Sequence, residues 1–259
     1  MNWIRPFEPV GSITLAVFAG FGRFALFLVQ AGRALKDVPT WAPLLIMQMR
    51  RLGVDSIPIA LFIALFTGVV LSLQASYTFT GAIPLYFVGT LVGKTIILEL
   101  GPVLTGLALS GRVGANIAAE LGTMRVSEQI DALETMAYDP MSYLVVPRVL
   151  AATLMMPIIV TFSNVVGVTA GWATALAMLD MSSHQFIYGL RLFYDPFDIT
   201  YYLIKSFSFG FIIAGIGCFQ GFTTSGGAEG VGLSTTRAVV AGGMMILVLD
   251  AFWAAVLLR

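Results

Sequence analysis

Charge is what this sequence has least of. Asp, Glu, Lys and Arg make up 11% of the 259 residues, against 58% apolar residues and a mean hydropathy of +0.91. A soluble domain of this length needs far more surface charge, so the chain is a polytopic membrane protein. Its 14 basic and 14 acidic residues cancel, which leaves no global basic field to recruit nucleic acid. The single cysteine, Cys218, excludes an intramolecular disulfide and a cysteine zinc cluster. The single histidine, His184, cannot build a metal site alone. No Ser-His-Asp or HExxH arrangement is available, so catalysis is not expected. The opening MNWIRPFEP lacks the order of a cleaved signal and is expected to remain. Gly89-Thr-Leu-Val-Gly93-Lys94-Thr95 resembles a phosphate loop but has three residues between its glycines, with Val88 at the required glycine. It also lies within an apolar span with no preceding strand, so the chain is not expected to hydrolyse ATP itself.

What is present is long apolar helix. The run from about residue 12 to 36 is apolar but interrupted by Arg23, Arg33 and Lys36, which suits a helix in the cytoplasmic interface with its cations snorkelling to headgroups. A first transmembrane helix is the other reading. Pro39 and Pro43 bracket a restart, and a second amphipathic piece ends at Arg50-Arg51. Ser56 to Gly93 holds 38 residues without Asp, Glu, Lys or Arg, more than the roughly 20 one span needs. Ser76 to Gly81 and Pro84 mark a turn inside it. The expected spans are therefore about 56–76, 85–109, 149–179, 200–222 and 238–258, the third kinked at Pro157. Polar residues Asp180, His184, Arg191, Asp195 and Asp198 link the third and fourth. TTSGGAEGVGLSTTR reads as a loop before the fifth, which Asp250 interrupts. The expected class is an all-α integral membrane protein, with N-terminal interfacial (elbow) helices over 1–52 and a transmembrane domain over 53–259.

Loop charges orient it. Arg5, Arg23, Arg33, Lys36, Arg50, Arg51, Arg112, Arg125, Arg148 and Arg237 fall on one side, against Arg191, Lys205 and Arg259 on the other, with Lys94 in a span. The positive-inside rule places the N-terminus and residues 112–148 in the cytoplasm, and five spans place the C-terminus outside.

The informative stretch is ELGPVLTGLALSGRVGANIAAELGTMRVSEQIDALETMAYDP, Glu99 to Pro140. A carboxylate in mid-span is costly and normally faces a cavity or a partner, which makes Glu99 the leading site residue. Gly101-Pro102 loosens the helix behind it and frees the carbonyl of Leu98. A structural pairing of Glu99 with Lys94 or a hydroxyl is the alternative, weakened because five residues do not share quite one helix face. Asp250 is a second candidate. Gly106, Ser110, Gly114, Ala118 and Gly122 form a smooth ridge, read either as packing within one subunit or as a subunit interface. Beyond Arg112 the stretch reads as a polar cytoplasmic helix capped by Ser127. Glu128, Asp131 and Glu134 lie on one face and Ile130, Leu133 and Met136 on the other, a face suited to docking a partner.

This block, followed by YLVVPRVLA, resembles the signature of the MlaE/YrbE permease family, the membrane subunits of ABC-type lipid transporters that work with MCE-domain proteins. The resemblance covers roughly Gln74 to the C-terminus. It implies a homodimer, a separate cytoplasmic ABC ATPase carrying ATP and Mg, an MCE ring on the outer side, and no cofactor in this chain. It also implies phospholipid moving between inner and outer membranes of a bacterium, held in a cavity between two permeases. The family's cavity glutamate corresponds to Glu99, with Leu98, Gln74 and Tyr77 completing the wall. Its coupling helix corresponds to about Val126 to Met136, with Arg125, Glu128, Gln129, Asp131 and Glu134 facing the ATPase. Family members commonly carry Arg where this chain has Leu98, and Lys94, one turn earlier, is the candidate substitute. A permease for another hydrophobic solute and a non-transporting scaffold for a periplasmic complex remain as alternatives.

Overall fold

The computed structural model describes residues 8–79, 83–179 and 181–258; Arg5, Thr80, Gly81, Asp180 and Arg259 lie outside them. The described residues hold no strand and form eight helical runs. These are α1 (Glu8–Ala34), α2 (Val38–Thr78), α3 (Phe87–Val126), α4 (Gln129–Thr135), α5 (Met141–Met178), α6 (Ser183–Leu192), α7 (Phe197–Phe222) and α8 (Gly227–Leu257). Five of them, α2, α3, α5, α7 and α8, are long and apolar enough to cross a membrane.

Several helices run further than the sequence boundaries. At 1.5 Å per residue the 40 residues of α3 are about 60 Å long, twice the roughly 30 Å hydrocarbon thickness. Arg112 therefore marks no exit from the bundle; it sits half-buried in mid-helix and donates to Ser56 Oγ on α2. Arg148, counted above as a loop cation, is buried in α5. Lys205 is buried within α7 and is no loop charge either. The amphipathic piece ending at Arg51 and the first span form one run, α2, which passes through residue 52. The Gly/Ser/Thr-rich segment is helical from Gly227, and only Thr223–Gly226 forms the turn, with Gly226 at φ 91°. Small residues there serve close packing: Gly230 and Ser234 are buried, and this part of α8 lies against α3.

Proline shapes the helices without ending them. π-helical turns at Met49–Gly53, Ile96–Leu100 and Met141–Val145 lie shortly before Pro58, Pro102 and Pro147. A ring that removes one i−4 hydrogen bond makes a wider turn the local solution. Glycine sets the helix spacing. Gly68 of α2 lies against the carbonyl of Gly167 on α5, where a β-carbon would collide. The ridge from Gly106 to Gly122 packs within the subunit: Gly106 faces Phe209, Gly114 faces Ile213, and Gly242 of α8 faces Ser110. Of the two readings of that ridge, this contact is the intrasubunit one.

Three charges lock the end of the bundle that carries α4. Arg51 of α2 and Arg148 of α5 both reach Glu120 Oε1 on α3, at 2.8 and 3.1 Å. Asp139 starts α5 by accepting from the N–H groups of Met141 and Ser142, at 3.1 and 3.2 Å. Phe27 of α1 is buried and meets Phe219 and Phe222 of α7 edge to face. Phe18, Phe21, Leu26 and Val29 of α1 are exposed, as are Phe62, Phe66 and Val70 of α2 and Val240, Met244, Leu247 and Val248 of α8. Such faces suit lipid tails or another apolar surface.

Candidate functional site

Glu99 sits in the π-turn Ile96–Leu100, with its side chain 41% exposed. Its partner is Lys205 of α7, whose side chain is fully buried. Pro102 has no N–H to offer the carbonyl of Leu98, and Lys205 Nζ donates to that oxygen at 3.0 Å. The freed carbonyl expected from Gly101-Pro102 is thus in use. Asp250 Oδ1 of α8 lies 2.5 Å from the same ammonium, and Tyr201 Oη lies 3.3 Å from it, its ring centroid 4.8 Å away. One buried cation thus ties α3, α7 and α8 together through two carboxylates, a carbonyl and a phenol. The cluster carries one net negative charge, and Glu99 is its exposed edge.

Lys94 does not serve this cluster. It pairs at 2.6 Å with Asp198 Oδ2, from the first turn of α7. The Lys94–Glu99 pair is not formed. Five residues along a helix point the two side chains apart, and each finds its partner two turns apart on α7. Sequence reading missed Lys205 and Asp198 as site residues because Asp198 was placed in the link before the fourth span and Lys205, although inside the expected span 200–222, was counted only as an outer charge. Asp198, Tyr201 and Lys205 recur at one helix face in an otherwise apolar run, and that spacing is the signal that could have found them.

Beside the cluster, a groove of about 310 Å³ between α2 and α3 is lined by Phe66, Val70, Gln74 and Leu100. It brings Gln74 next to the residue that follows Glu99. Tyr77, 85% exposed, stands one turn beyond Gln74 and off the groove wall. Leu98 contributes its carbonyl and is also off that wall.

At the other end of α3, Ser127 does not cap the next helix. Its hydroxyl donates to the Thr123 carbonyl at 2.7 Å, closing α3, and the chain turns at Glu128 with φ 59°. Glu128, Gln129, Asp131 and Glu134 are exposed on this short α4, while Ile130 is buried in the core. Leu133 packs partly against the core, but Met136 is exposed. Arg125 Nη1 bonds Asp131 Oδ1 at 2.5 Å across the corner. A cleft of about 720 Å³ beside it is bordered by Arg33, Lys36, Arg125, Glu134 and Asp139.

A family model described as Permease MlaE matches residues 45–256, nearly all of the helical core just described. The chain belongs to the MlaE permease family. It is similar to a probable ABC transporter permease protein of Rickettsia felis, 39% identical over 239 residues and 92% of each chain. A probable ABC transporter permease protein of Synechocystis is 42% identical over 205 residues, covering 79% of this chain and 78% of the relative. The intermembrane phospholipid transport system permease protein MlaE of Haemophilus influenzae is 31% identical over 242 residues and 93% of each chain. The protein is accordingly a multi-pass membrane protein and the permease subunit of an ABC transporter.

Proposed function

We propose that this MlaE-family permease moves phospholipid between the inner and outer membranes of a bacterium. Two copies enclose the lipid between them, a separate ABC ATPase drives the cycle, and an MCE-domain ring stands on the periplasmic side. The observation that carries this reading is the half-exposed carboxylate Glu99, anchored by buried Lys205 and followed by Leu100 on an apolar groove bearing Gln74. The name of the Haemophilus relative supports the choice of phospholipid. A net-negative cluster does not hold a phosphodiester directly, since like charges repel. Glu99 instead accepts hydrogen bonds from an ethanolamine or glycerol headgroup, or keeps the cavity hydrated for headgroup entry. Gln74 stands on the groove, and Leu98 and Tyr77, off its wall in one copy, complete the cavity between the two copies. The chain lies in the inner membrane with its N-terminus in the cytoplasm and its C-terminus in the periplasm, as the basic bias of α1 and α2 supports. Exposed α4 docks on the ATPase through Arg125, Glu128, Gln129, Asp131 and Glu134. Reconstitution with labelled phospholipid, with and without ATP, tests the reading. ATP-dependent lipid movement that Glu99→Leu impairs supports it; ATP-driven movement of another apolar solute in preference to lipid overturns it.

A further inference from the structure

A second cavity is walled by Lys94 and Ile97 of α3, Asn164 and Val168 of α5, Leu190 of α6 and Asp198 of α7. It holds about 360 Å³, within the range of roughly 300–1,000 Å³ common for small-ligand pockets. Its wall is mostly apolar surface set with the polar side chains of Lys94, Thr161, Asn164, Asp198 and Tyr202. Lys94 and Asp198 stand on it as the 2.6 Å ion pair, their side chains 31% and 8% exposed. Asp198 Oδ2 also accepts from the N–H of Asp195 at 3.2 Å. An ammonium has three donors, and Lys94 gives one of them to Asp198. Thr161 and Tyr202 share a hydroxyl contact at 3.2 Å on the same wall. Asn164 of α5 is also on it, 6% exposed, with neither amide atom hydrogen-bonded. A buried amide without partners among the described residues is an unmet polar demand at this site. Val165 and Ile199, at the same wall, are exposed, so the cavity opens on the outside of the bundle.

We propose that this cavity is a lateral lipid site, separate from the groove at Glu99, that takes the zwitterionic headgroup of a glycerophospholipid from the surrounding leaflet. The sign pattern selects the ligand. A simple anion is drawn to Lys94 but repelled by Asp198, and a simple cation meets the reverse. A phosphate and an amine on one headgroup match both. The phosphate lies on the remaining Lys94 donors and the amine on Asp198. The acyl chains leave along Val165, Val168 and Ile199. This site requires only that the chain sits in a phospholipid bilayer, and it does not rest on the transport reading.

The test places a benzophenone amino acid at Val165 in the full chain, in bacterial membranes rich in phosphatidylethanolamine. Leu154, exposed on the same helix, is the control position, and Val70 reports the other groove. Mass spectrometry of the adducts should show phosphatidylethanolamine at 165. Lys94→Gln with Asp198→Asn removes both charges and leaves no lone buried one; it should cut that adduct about tenfold, with Leu154 and Val70 unaffected. Val168→Trp, which fills the cavity and spares the pair, should do the same. Lipid adducts at 165 that resist both variants would be annular lipid only, and would overturn the proposal. So would a peptide adduct, which would put a partner helix in the cavity, or displacement of the lipid by added inorganic phosphate. Failure of the transport reading would show at Val70 and in the transport assay, leaving the result at 165 standing.

Discussion

Lys205 on α7 donates to the carbonyl of Leu98 on α3 at 3.0 Å, the oxygen that Pro102 leaves without a helical N–H. A helix defect in one element is thus satisfied by a buried cation from another, and the same cation sets the position of Glu99. The π-turn, the proline and the ion pair form one device, which leaves one carboxylate half-exposed and keeps its neighbours Lys205 and Asp250 buried or nearly so.

Removing that cation should be severe. Lys205→Met leaves Glu99 and Asp250 close together with no counter-charge, at a cost of about 3–5 kcal/mol. Thermal unfolding of the detergent-purified protein measures it. Adding Glu99→Gln and Asp250→Asn to Lys205→Met should restore most of the loss, because no unpaired charge then remains. A triple variant as unstable as the single one would show that the lysine packs rather than pairs.

Lys94 and Glu99 share no partner, so their effects should add. Glu99→Leu with Lys94→Leu is expected to lose the sum of the single losses to within about 0.5 kcal/mol, with no rescue of transport. Recovery of transport in the double variant would mean that the two residues are functionally paired despite their separate contacts.

The spans and Glu99 were legible in the sequence because a bilayer demands long apolar runs and penalises a charge inside them. Helix ends were less so. Charge was read as a sign of leaving the membrane, yet Arg112, Arg148 and Lys205 are satisfied inside the bundle by Ser56, Glu120 and Glu99. Those partners lie on other helices, tens of residues away, where no local pattern registers them. The small-residue segment after Thr223 read as a loop for the same reason: its helicity comes from tertiary packing on α3, which overrides propensity.

The α2–α5 contact depends on an absent side chain. Gly68→Ala places a methyl on the carbonyl of Gly167, and backbone cannot yield as a side-chain tip can. The expected cost is about 1–3 kcal/mol of overpacking. Gly111 has open space where its β-carbon would be, so Gly111→Ala should be neutral or stabilising by up to about 1 kcal/mol. Parallel unfolding curves for the two variants decide it, and equal destabilisation would remove the packing argument.

The docking face of α4 separates folding from coupling. Glu128, Asp131 and Glu134 are exposed, and the ion pair among them, Arg125–Asp131, is between partly exposed groups. Such a pair contributes less than about 1 kcal/mol, so reversing all three charges should leave the fold intact. At an interface the same charges are desolvated, and each mismatched one costs about 2–5 kcal/mol, enough to release a micromolar partner. Glu128 also holds a left-handed backbone at φ 59°, so Glu128→Gly relieves about 1–2 kcal/mol of strain against about 0.5–1 kcal/mol of added chain entropy, and should leave the corner at least as stable while removing one docking charge. The expected pattern is a stable permease that no longer co-purifies with an ATPase in the triple reversal, and one at least as stable with weakened coupling in Glu128→Gly. Unchanged co-purification and unchanged lipid-stimulated ATP hydrolysis in the triple reversal would mean that α4 is a solvated face and that the ATPase docks elsewhere.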